Sequence, residues 1–330
     1  MLVEISSVLR AISLTTICIS FAAAPVSSYF PCAAIALADE PNITNEPASK
    51  TPVATDATPD GNTSTDSSAS ASSTESAKLK RPYRSVRDVV YSRVDGTALT
   101  ADVFRPASDE LAPVVLMIHG GAWSSGDKWH LHDHARELAQ EGYVAISINY
   151  RLAPLHTIEK QIDDCRAALK WLDKVHSKYN FDTNRIAVWG YSAGAHLSCM
   201  LATRPAPDAP KIRAVIGGGT PCDFENIPPE SPVLSLVMGG TRKEIPQVYH
   251  DVSPVNFVNE KCPPTLFFHG TADALVPQAT SRRMHEALLA KGVESEYVSI
   301  EGKGHLTTFI DGTARRKAIE FLNKHLHTGH

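Results

Sequence analysis

From residue 85 onward, short apolar runs alternate with longer segments whose apolar residues recur at helical spacing. Two strand-like segments, 89–91 and 99–104, flank Asp95-Gly96, a dipeptide that favours a tight hairpin turn. Further apolar runs predict strands at 113–118, 143–149, 186–189, 212–216, 265–268 and 297–300. Segments with apolar residues three or four apart predict helices at 130–140, 158–178, 278–291 and 313–326.

This alternation of strands and helices predicts the fold class. A run that is apolar throughout is typical of a strand covered on both faces, and strand–helix alternation is typical of a parallel sheet between two helix layers. We therefore expect an α/β fold with a mostly parallel, doubly wound sheet and an antiparallel N-terminal hairpin. Residues 221–259 interrupt the alternation with prolines and a Gly-Gly pair. This interruption predicts an insertion that lies at the carboxyl ends of the strands and forms a lid or a pocket wall.

The first 80 residues have a different pattern. Residues 11–24 form an apolar run and residues 36–38 resemble a cleavage site, so we predict a signal peptide over 1–38 and a secreted or periplasmic protein. An uncleaved N-terminal membrane anchor is the alternative. Residues 39–80 are rich in Ser, Thr and Pro and poor in large apolar side chains, which predicts a disordered linker before a domain over 81–327.

Charge is concentrated in the predicted linker. Residues 39–77 hold seven acids and one base, so that from a formal net charge of −4 the chain from residue 78 onward is left at about +2. Such a balance provides no basic stripe or face. It predicts no nucleic-acid partner and, after cleavage of the signal, no stable membrane partner.

Cysteine and histidine spacing gives little support for a metal site. The cysteines beyond the linker lack CxxC spacing, which is against a zinc ribbon, and Cys222 and Cys262 pair only if their Cα atoms come close. His130, His132 and His134 are clustered, and two of them have the i,i+4 spacing of zinc ligands. No glutamate completes an HExxH pattern, so we prefer an exposed polar helix start and predict no metal.

Candidate chemistry centres on Gly190-Tyr191-Ser192-Ala193-Gly194, which joins an apolar run to a helix-forming segment. A serine on a tight strand-to-helix turn needs glycine neighbours because the two elements pass close beside it. The N-terminal amides of the following helix also favour an anion at that place. We therefore predict that Ser192 is a nucleophile; a structural Gly/Ser turn after a core strand is the alternative.

A serine hydroxyl needs a base to accept its proton and a carboxylate to orient that base. Asp273 follows strand 265–268 and His305 follows strand 297–300, so both lie at the same sheet edge as Ser192. We predict Ser192, Asp273 and His305 as a catalytic triad. The other candidates, on loops less well placed by a strand, are Asp223, Asp251 and Glu260 for the acid and His250, His269 and His285 for the base.

Acyl transfer builds negative charge on the carbonyl oxygen, so an oxyanion hole is also needed. Gly120 and Gly121, in the sequence HGGAW, let the backbone turn its amides toward that oxygen, and the amide of Ala193 supplies the other donor. The second glycine is the preferred donor, and a plain glycine turn is the alternative. Trp123 and Tyr191 flank these groups as candidates for the substrate pocket, although packing at the strand ends explains them equally well.

Over residues 84–326 the motifs together resemble the esterase/lipase branch of the α/β-hydrolases, especially the group of bifunctional feruloyl and acetyl-xylan esterases and of kynurenine formamidase. The motifs are, in order, HGGAW, NYRLAP, WGYSAGAH, HGTADALVP and GKGH. The resemblance implies the α/β-hydrolase fold and ester hydrolysis through an acyl-enzyme, without a cofactor. The hormone-sensitive-lipase branch usually has HGGG and GDSAGG, and Ala122, Tyr191 and Ala195 depart from that pattern.

The sequence therefore predicts a secreted serine esterase for small acyl, sugar or aryl esters, of the acetyl or feruloyl esterase type. Its predicted partner is a small-molecule or carbohydrate ester substrate. One alternative is an amidase or peptidase with the same triad. The other is a catalytically silent hydrolase fold that binds a polysaccharide or a protein.

Overall fold

The computed structural model describes residues 81–226 and 231–327, which build a single eight-stranded sheet with helices on both faces. The strands are β1 (Tyr83–Val94), β2 (Thr97–Pro106), β3 (Ala112–Ile118), β4 (Val144–Ile148), β5 (Phe181–Tyr191), β6 (Ile212–Gly218), β7 (Thr265–Gly270) and β8 (Ser295–Ile300). The helices are α1 (His132–Glu141), α2 (Ile158–Tyr179), α3 (Ala193–Thr203), α4 (Pro232–Met238), α5 (Pro246–Asp251), α6 (Gln278–Ala290), α7 (His305–Phe309) and α8 (Gly312–Leu326). Short 3-10 helices lie at Lys128–Leu131 and Pro254–Phe257.

The sheet has the strand order β1-β2-β4-β3-β5-β6-β7-β8. The hairpin β1–β2 is antiparallel and joins β4 in an antiparallel pair, whereas every pair from β4 to β8 is parallel. This arrangement confirms the predicted fold class. Because β3 to β8 all run the same way, the loops that follow these strands meet at one edge of the sheet, where ligands bind in open α/β sheets.

The apolar runs of the central strands supply a core on each face of the sheet. In β3, Val114, Leu116 and Ile118 face the cluster that includes α2, α3 and α6, whereas Val115 and Met117 face the cluster that includes α1 and α8. Successive side chains of a strand point to opposite faces, so a strand between two helix layers must be apolar at every position. This is why the sequence of β3 shows no polar alternation.

Residues 221–259 follow β6 and contain α4, α5 and the second 3-10 helix. Residues 227–230 lie outside the described residues. Phe224, Tyr249 and Val252 are buried in the same cluster as α2 and α3, so this insertion is packed against the domain. Its predicted role as a lid or a pocket wall stays a prediction.

The predicted signal peptide (1–38) and linker (39–80) lie outside the described residues, and both stay predictions. In the part of the chain that the structure describes, no helix is long and apolar enough to cross a membrane.

Candidate active site

Ser192 lies between the last residue of β5 and the first residue of α3. Its backbone has φ 54° and ψ −121°, a conformation that a residue with a side chain adopts only when its surroundings impose it. The Ser192 N–H donates to the carbonyl of Gly218 at the end of β6 (2.8 Å), and the Ser192 carbonyl accepts from the N–H of His196 (3.0 Å). These bonds hold a strained serine at the carboxyl edge of the sheet.

The glycine before the serine allows the strand and the helix to pass at backbone contact. A Cβ built on Gly190 would lie only 2.1 Å from the carbonyl oxygen of Gly194. Any side chain at position 190 would therefore force α3 away from β5 and open the turn. The Gly-x-Ser-x-Gly spacing thus follows from the tight crossing of these two elements.

The structure brings the predicted acid and base together. Asp273, in the loop after β7, accepts a hydrogen bond on Oδ2 from Nδ1 of His305, the first residue of α7 (2.7 Å). Burial by itself would raise the pKa of the Asp273 carboxyl, but hydrogen bonds from the Val276 N–H and from His305 outweigh it and hold the pKa below its ordinary value. The ionised carboxylate accepts a hydrogen bond from the Nδ1–H group of His305, which leaves Nε2 without a proton and able to accept one.

Tyr191 connects the serine turn to this histidine. Its hydroxyl donates to the backbone carbonyl of His305, and the two rings lie 5.1 Å apart. The ring also packs against Phe309 at 5.0 Å, and only 5% of Tyr191 is exposed. The structure therefore favours packing over pocket lining for Tyr191, whose hydroxyl holds the backbone of His305, the predicted base.

The predicted oxyanion loop lies directly against the serine. A Cβ built on Gly120 would come within 2.8 Å of the carbonyl oxygen of Tyr191 and 3.3 Å of the Cβ of Ser192. Gly121 has φ +123°, a value that favours glycine, and its carbonyl accepts the N–H groups that close the turn behind it. Ala193 is the first residue of α3, so its N–H has no acceptor within the helix. The role of these groups as an oxyanion hole stays a prediction.

Trp123 also packs inside the protein. Its indole N–H donates to Nδ1 of His196 (3.1 Å), and Nε2 of His196 donates to the carbonyl of Val252 in the insertion (2.8 Å). Phe224 contacts both rings. Burial lowers the pKa of His196 to about 4, so the ring is neutral and has one donating and one accepting nitrogen, as these bonds require. Trp123 thus anchors the oxyanion loop to α3 and the insertion.

Three of the other candidate acids and bases have separate partners. Asp223 pairs with Arg283, His250 lies 3.2 Å from Glu225, and His285 lies 2.8 Å from the hydroxyl of Ser295. His269 differs from them, because its Nε2 lies 3.1 Å from Asp273 Oδ2. Sequence reasoning considered His269 only as a rival base; the available signal was its place at the end of a strand, four residues before the acid.

The structure shows where the cysteines and the clustered histidines lie. Cys222 and Cys262 are free, buried thiols, so the pairing considered from sequence is not formed. His130 lies in a 3-10 helix, whereas His134 lies in α1 with its ring stacked 4.7 Å from that of Phe309. Across residues 81–226 and 231–327, no group of three or more His, Cys, Asp or Glu side chains could hold a metal ion.

Comparison with known proteins identifies the family of this chain. The BD-FAE family model matches residues 101–288. The chain is 32% identical over 270 residues to esterase LipC of Mycobacterium tuberculosis, covering 74% of this chain and 66% of the relative. It is 32% identical over 224 residues to the probable carboxylic ester hydrolase LipM of the same organism, covering 62% of this chain and 52% of the relative. The chain thus spans less than two thirds of the length of these two relatives.

Solved structures give the same result. Esterase 2 of Thermogutta terrifontis in its apo form aligns with a TM-score of 0.64 at 26% identity, covering 72% of this chain and 93% of that one. A truncated carbohydrate esterase from gut microbiota shares the fold, with a TM-score of 0.65 at 22% identity, covering 74% of this chain and 97% of that one. The family model covers more than half of this chain. The chain therefore belongs to the BD-FAE family and has the α/β-hydrolase fold.

Proposed function

We propose that this protein is a serine carboxylic ester hydrolase that works through an acyl-enzyme on small acyl, sugar or aryl esters. The observation that carries the proposal is the strained turn of Ser192, which has the Gly120–Gly121 loop against it and is linked through Tyr191 to the His305–Asp273 pair. The relatives LipC and esterase 2 are named esterases, which supports the same reaction class. The acetyl or feruloyl preference rests on the motif resemblance alone.

In the proposed reaction, Nε2 of His305 takes the proton of the Ser192 hydroxyl while Oγ attacks the ester carbonyl. The amides of Gly121 and Ala193 stabilise the resulting oxyanion. His305 then returns the proton to the departing alcohol, which leaves an acyl-serine. Water, deprotonated by the same histidine, attacks the acyl-serine; the Oγ–acyl bond breaks, the carboxylic acid leaves, and His305 returns the proton to Ser192 Oγ. Asp273 stays ionised throughout and holds the imidazole in one orientation.

Replacement of the nucleophile tests this proposal. We expect Ser192→Ala to lower kcat for p-nitrophenyl acetate by about 10⁴-fold or more, because the acyl-enzyme can no longer form. A fluorophosphonate should label the wild-type chain at Ser192, located by peptide mass spectrometry, and should leave the variant unlabelled. Ser235→Ala is the matched control, since its hydroxyl bonds only within the start of α4. A Ser192→Ala variant with wild-type turnover would rule out the mechanism.

A substrate panel separates the esterase from its two rivals. An esterase hydrolyses acetylated xylan, aryl acetates or feruloyl esters, and an amidase or peptidase favours the matching anilides. A silent binding protein hydrolyses neither and is not labelled by the fluorophosphonate. Each outcome therefore identifies one of the three functions.

Secretion is proposed from the sequence of residues 1–38. The expected result is a mature protein outside the cytoplasm that begins at Asp39, as read by N-terminal sequencing. Protein that is found in the membrane fraction with its first residues still present would instead support the uncleaved anchor.

A further inference from the structure

A second histidine lies against the carboxylate of the proposed catalytic acid. His269 is in β7, four residues before Asp273, and neither side chain has exposed surface. Nε2 of His269 lies 3.1 Å from Asp273 Oδ2, the same oxygen that accepts from Nδ1 of His305 at 2.7 Å. One carboxylate oxygen thus has an imidazole on each side.

The surroundings determine which nitrogen of His269 carries the proton. Burial lowers the pKa of His269, so its ring is neutral at neutral pH. Nε2 lies 2.9 Å from the carbonyl of Val276 and close to the Asp273 carboxylate, and both of these groups only accept hydrogen bonds. The proton is therefore on Nε2, which donates to the Val276 carbonyl beside the carboxylate. Nδ1 then accepts from the hydroxyl of Ser281 at 2.9 Å.

The Ser281 hydroxyl extends this contact to two further elements. Ser281 belongs to α6, and its Oγ lies 3.1 Å from the hydroxyl of Tyr297 on β8. The guanidinium of Arg282 lies over the Tyr297 ring, 4.5 Å from its centre. The charged or titratable groups that act on His269 itself are Asp273 and His305. The imidazole of His269 is thus held at both nitrogens.

The other oxygen of Asp273 is occupied by its own loop. Oδ1 accepts from the backbone N–H groups of Leu275 (3.0 Å) and Val276 (2.9 Å), so residues 273–276 fold around the carboxylate. His269 contacts both ends of this loop, the carboxylate of Asp273 and the carbonyl of Val276. The position of Oδ2 relative to His305 therefore depends on a rigid side chain in the sheet.

We propose that His269 is a positioning residue for the hydrolysis, and this inference rests on the proposed function. Its ring clamps the loop 273–276 so that Asp273 Oδ2 stays at hydrogen-bond distance from His305. Without the clamp, the carboxylate shifts and the base loses its fixed orientation. Small displacements in a catalytic array lower the rate strongly, by up to about 10²-fold for 1 Å. Because His269 is buried behind Asp273, we expect the loss in kcat and not in KM.

His269→Leu and His269→Gln test this inference. We expect the leucine variant to lose about tenfold or more in kcat with KM changed less than about twofold, because the donor to the loop is gone. A glutamine amide has a donor near the position of Nε2, so we expect His269→Gln to recover kcat to within about threefold of the wild type. The downfield proton resonance of the His305–Asp273 hydrogen bond should shift or broaden with leucine and return with glutamine.

His285→Leu is the matched control, because it removes another His–Ser hydrogen bond of α6 without a contact to the acid. Any of three results would overturn the inference. They are wild-type kcat in His269→Leu, a loss of kcat that His269→Gln does not rescue, and an equal loss of kcat in His285→Leu. If His269→Leu does not fold, the glutamine variant and Ser281→Ala take its place. The alanine variant should lose about threefold in kcat, and no loss would also overturn the inference.

This experiment separates the inference from the proposed function. Wild-type protein that neither hydrolyses p-nitrophenyl acetate nor reacts with a fluorophosphonate contradicts the esterase function itself. In that case the proton resonance still reports whether His269 fixes the bond between His305 and Asp273. If the wild-type protein is active and substitution of His269 leaves kcat unchanged, only the positioning role is contradicted.

Discussion

At the scale of single residues, the site depends on side chains and backbone groups that tolerate little change. Ser192 adopts a positive φ because β5 and α3 join there without a loop, and Gly120 approaches it so closely that a Cβ would contact the Tyr191 carbonyl. The need for a serine and for glycines beside it was evident in the sequence. The supporting contacts of Tyr191 and His196 were not, because each joins residues of two separate motifs. His269 and Asp273 share one motif, but the motif did not show that their side chains meet.

The substitution Gly120→Ala tests the oxyanion loop. The added Cβ would lie 2.8 Å from the carbonyl of Tyr191, so the loop must move away from Ser192 and withdraw its amides. Loss of one oxyanion donor typically costs about 10²–10³ in rate, and we expect kcat of Gly120→Ala to fall by a similar factor. Steady-state kinetics with p-nitrophenyl acetate measures this fall.

Gly312→Ala is the control for this substitution. A Cβ at position 312, at the start of α8, would have no atom within 4 Å, so we expect unchanged kcat and an unchanged or slightly higher melting temperature. Equal turnover of Gly120→Ala and wild type would show that the loop does not hold the oxyanion.

At the scale of elements, the strands and the longer helices were predicted well, and the short helices α4, α5 and α7 were missed. The helix predicted at 158–178 is α2 (Ile158–Tyr179), and the strand predicted at 113–118 is β3 (Ala112–Ile118). Strand β5 begins at Phe181, five residues before the predicted start, because residues 182–185 are polar but still extended. Helix α7 begins at His305 and has only five residues, too few to show a helical period. Its start nevertheless positions the proposed base.

The insertion shows why an element's role needs its contacts. Prolines and a Gly-Gly pair marked residues 221–259 as irregular, but they did not show which residues face the core. Phe224 and the Val252 carbonyl contact the Trp123–His196 pair, and so they support the oxyanion loop from behind. Such contacts form between segments about 30 to 100 residues apart in the chain, a separation over which local patterns carry no information.

At the scale of the whole molecule, buried neutral histidines make stability depend on pH. Burial lowers the pKa values of His119, His134 and His196 to about 4. In the unfolded chain each titrates near its ordinary value, so between about pH 6.5 and 4 the unfolded state binds protons that the folded state does not. The free energy of unfolding therefore falls as the pH is lowered through this window.

We expect each of these histidines to contribute a slope of up to about 1.4 kcal/mol per pH unit within the window. Urea unfolding at several pH values between 7 and 4.5 measures the total slope. His134→Phe keeps an aromatic ring beside Phe309 and removes one titrating group. The slope of its unfolding free energy against pH should therefore be smaller by the equivalent of about one bound proton. A stability that does not change between pH 7 and 5, or the same slope in the variant, would contradict this expectation.

The sequence by itself determined the order of strands and helices along the chain, the turn of Ser192, and the places of Ser192, Asp273 and His305 after β5, β7 and β8. These features follow from local physics: apolar period, the need for glycine in a tight crossing, and loops that meet at one edge of a parallel sheet. Only the tertiary structure decided which groups touch. Tyr191 reaches His305 across 114 positions of the chain, and His269 faces Asp273 only because β7 and its loop fold back on each other. Burial then lowers the pKa of His269, and burial is a property of the packed fold.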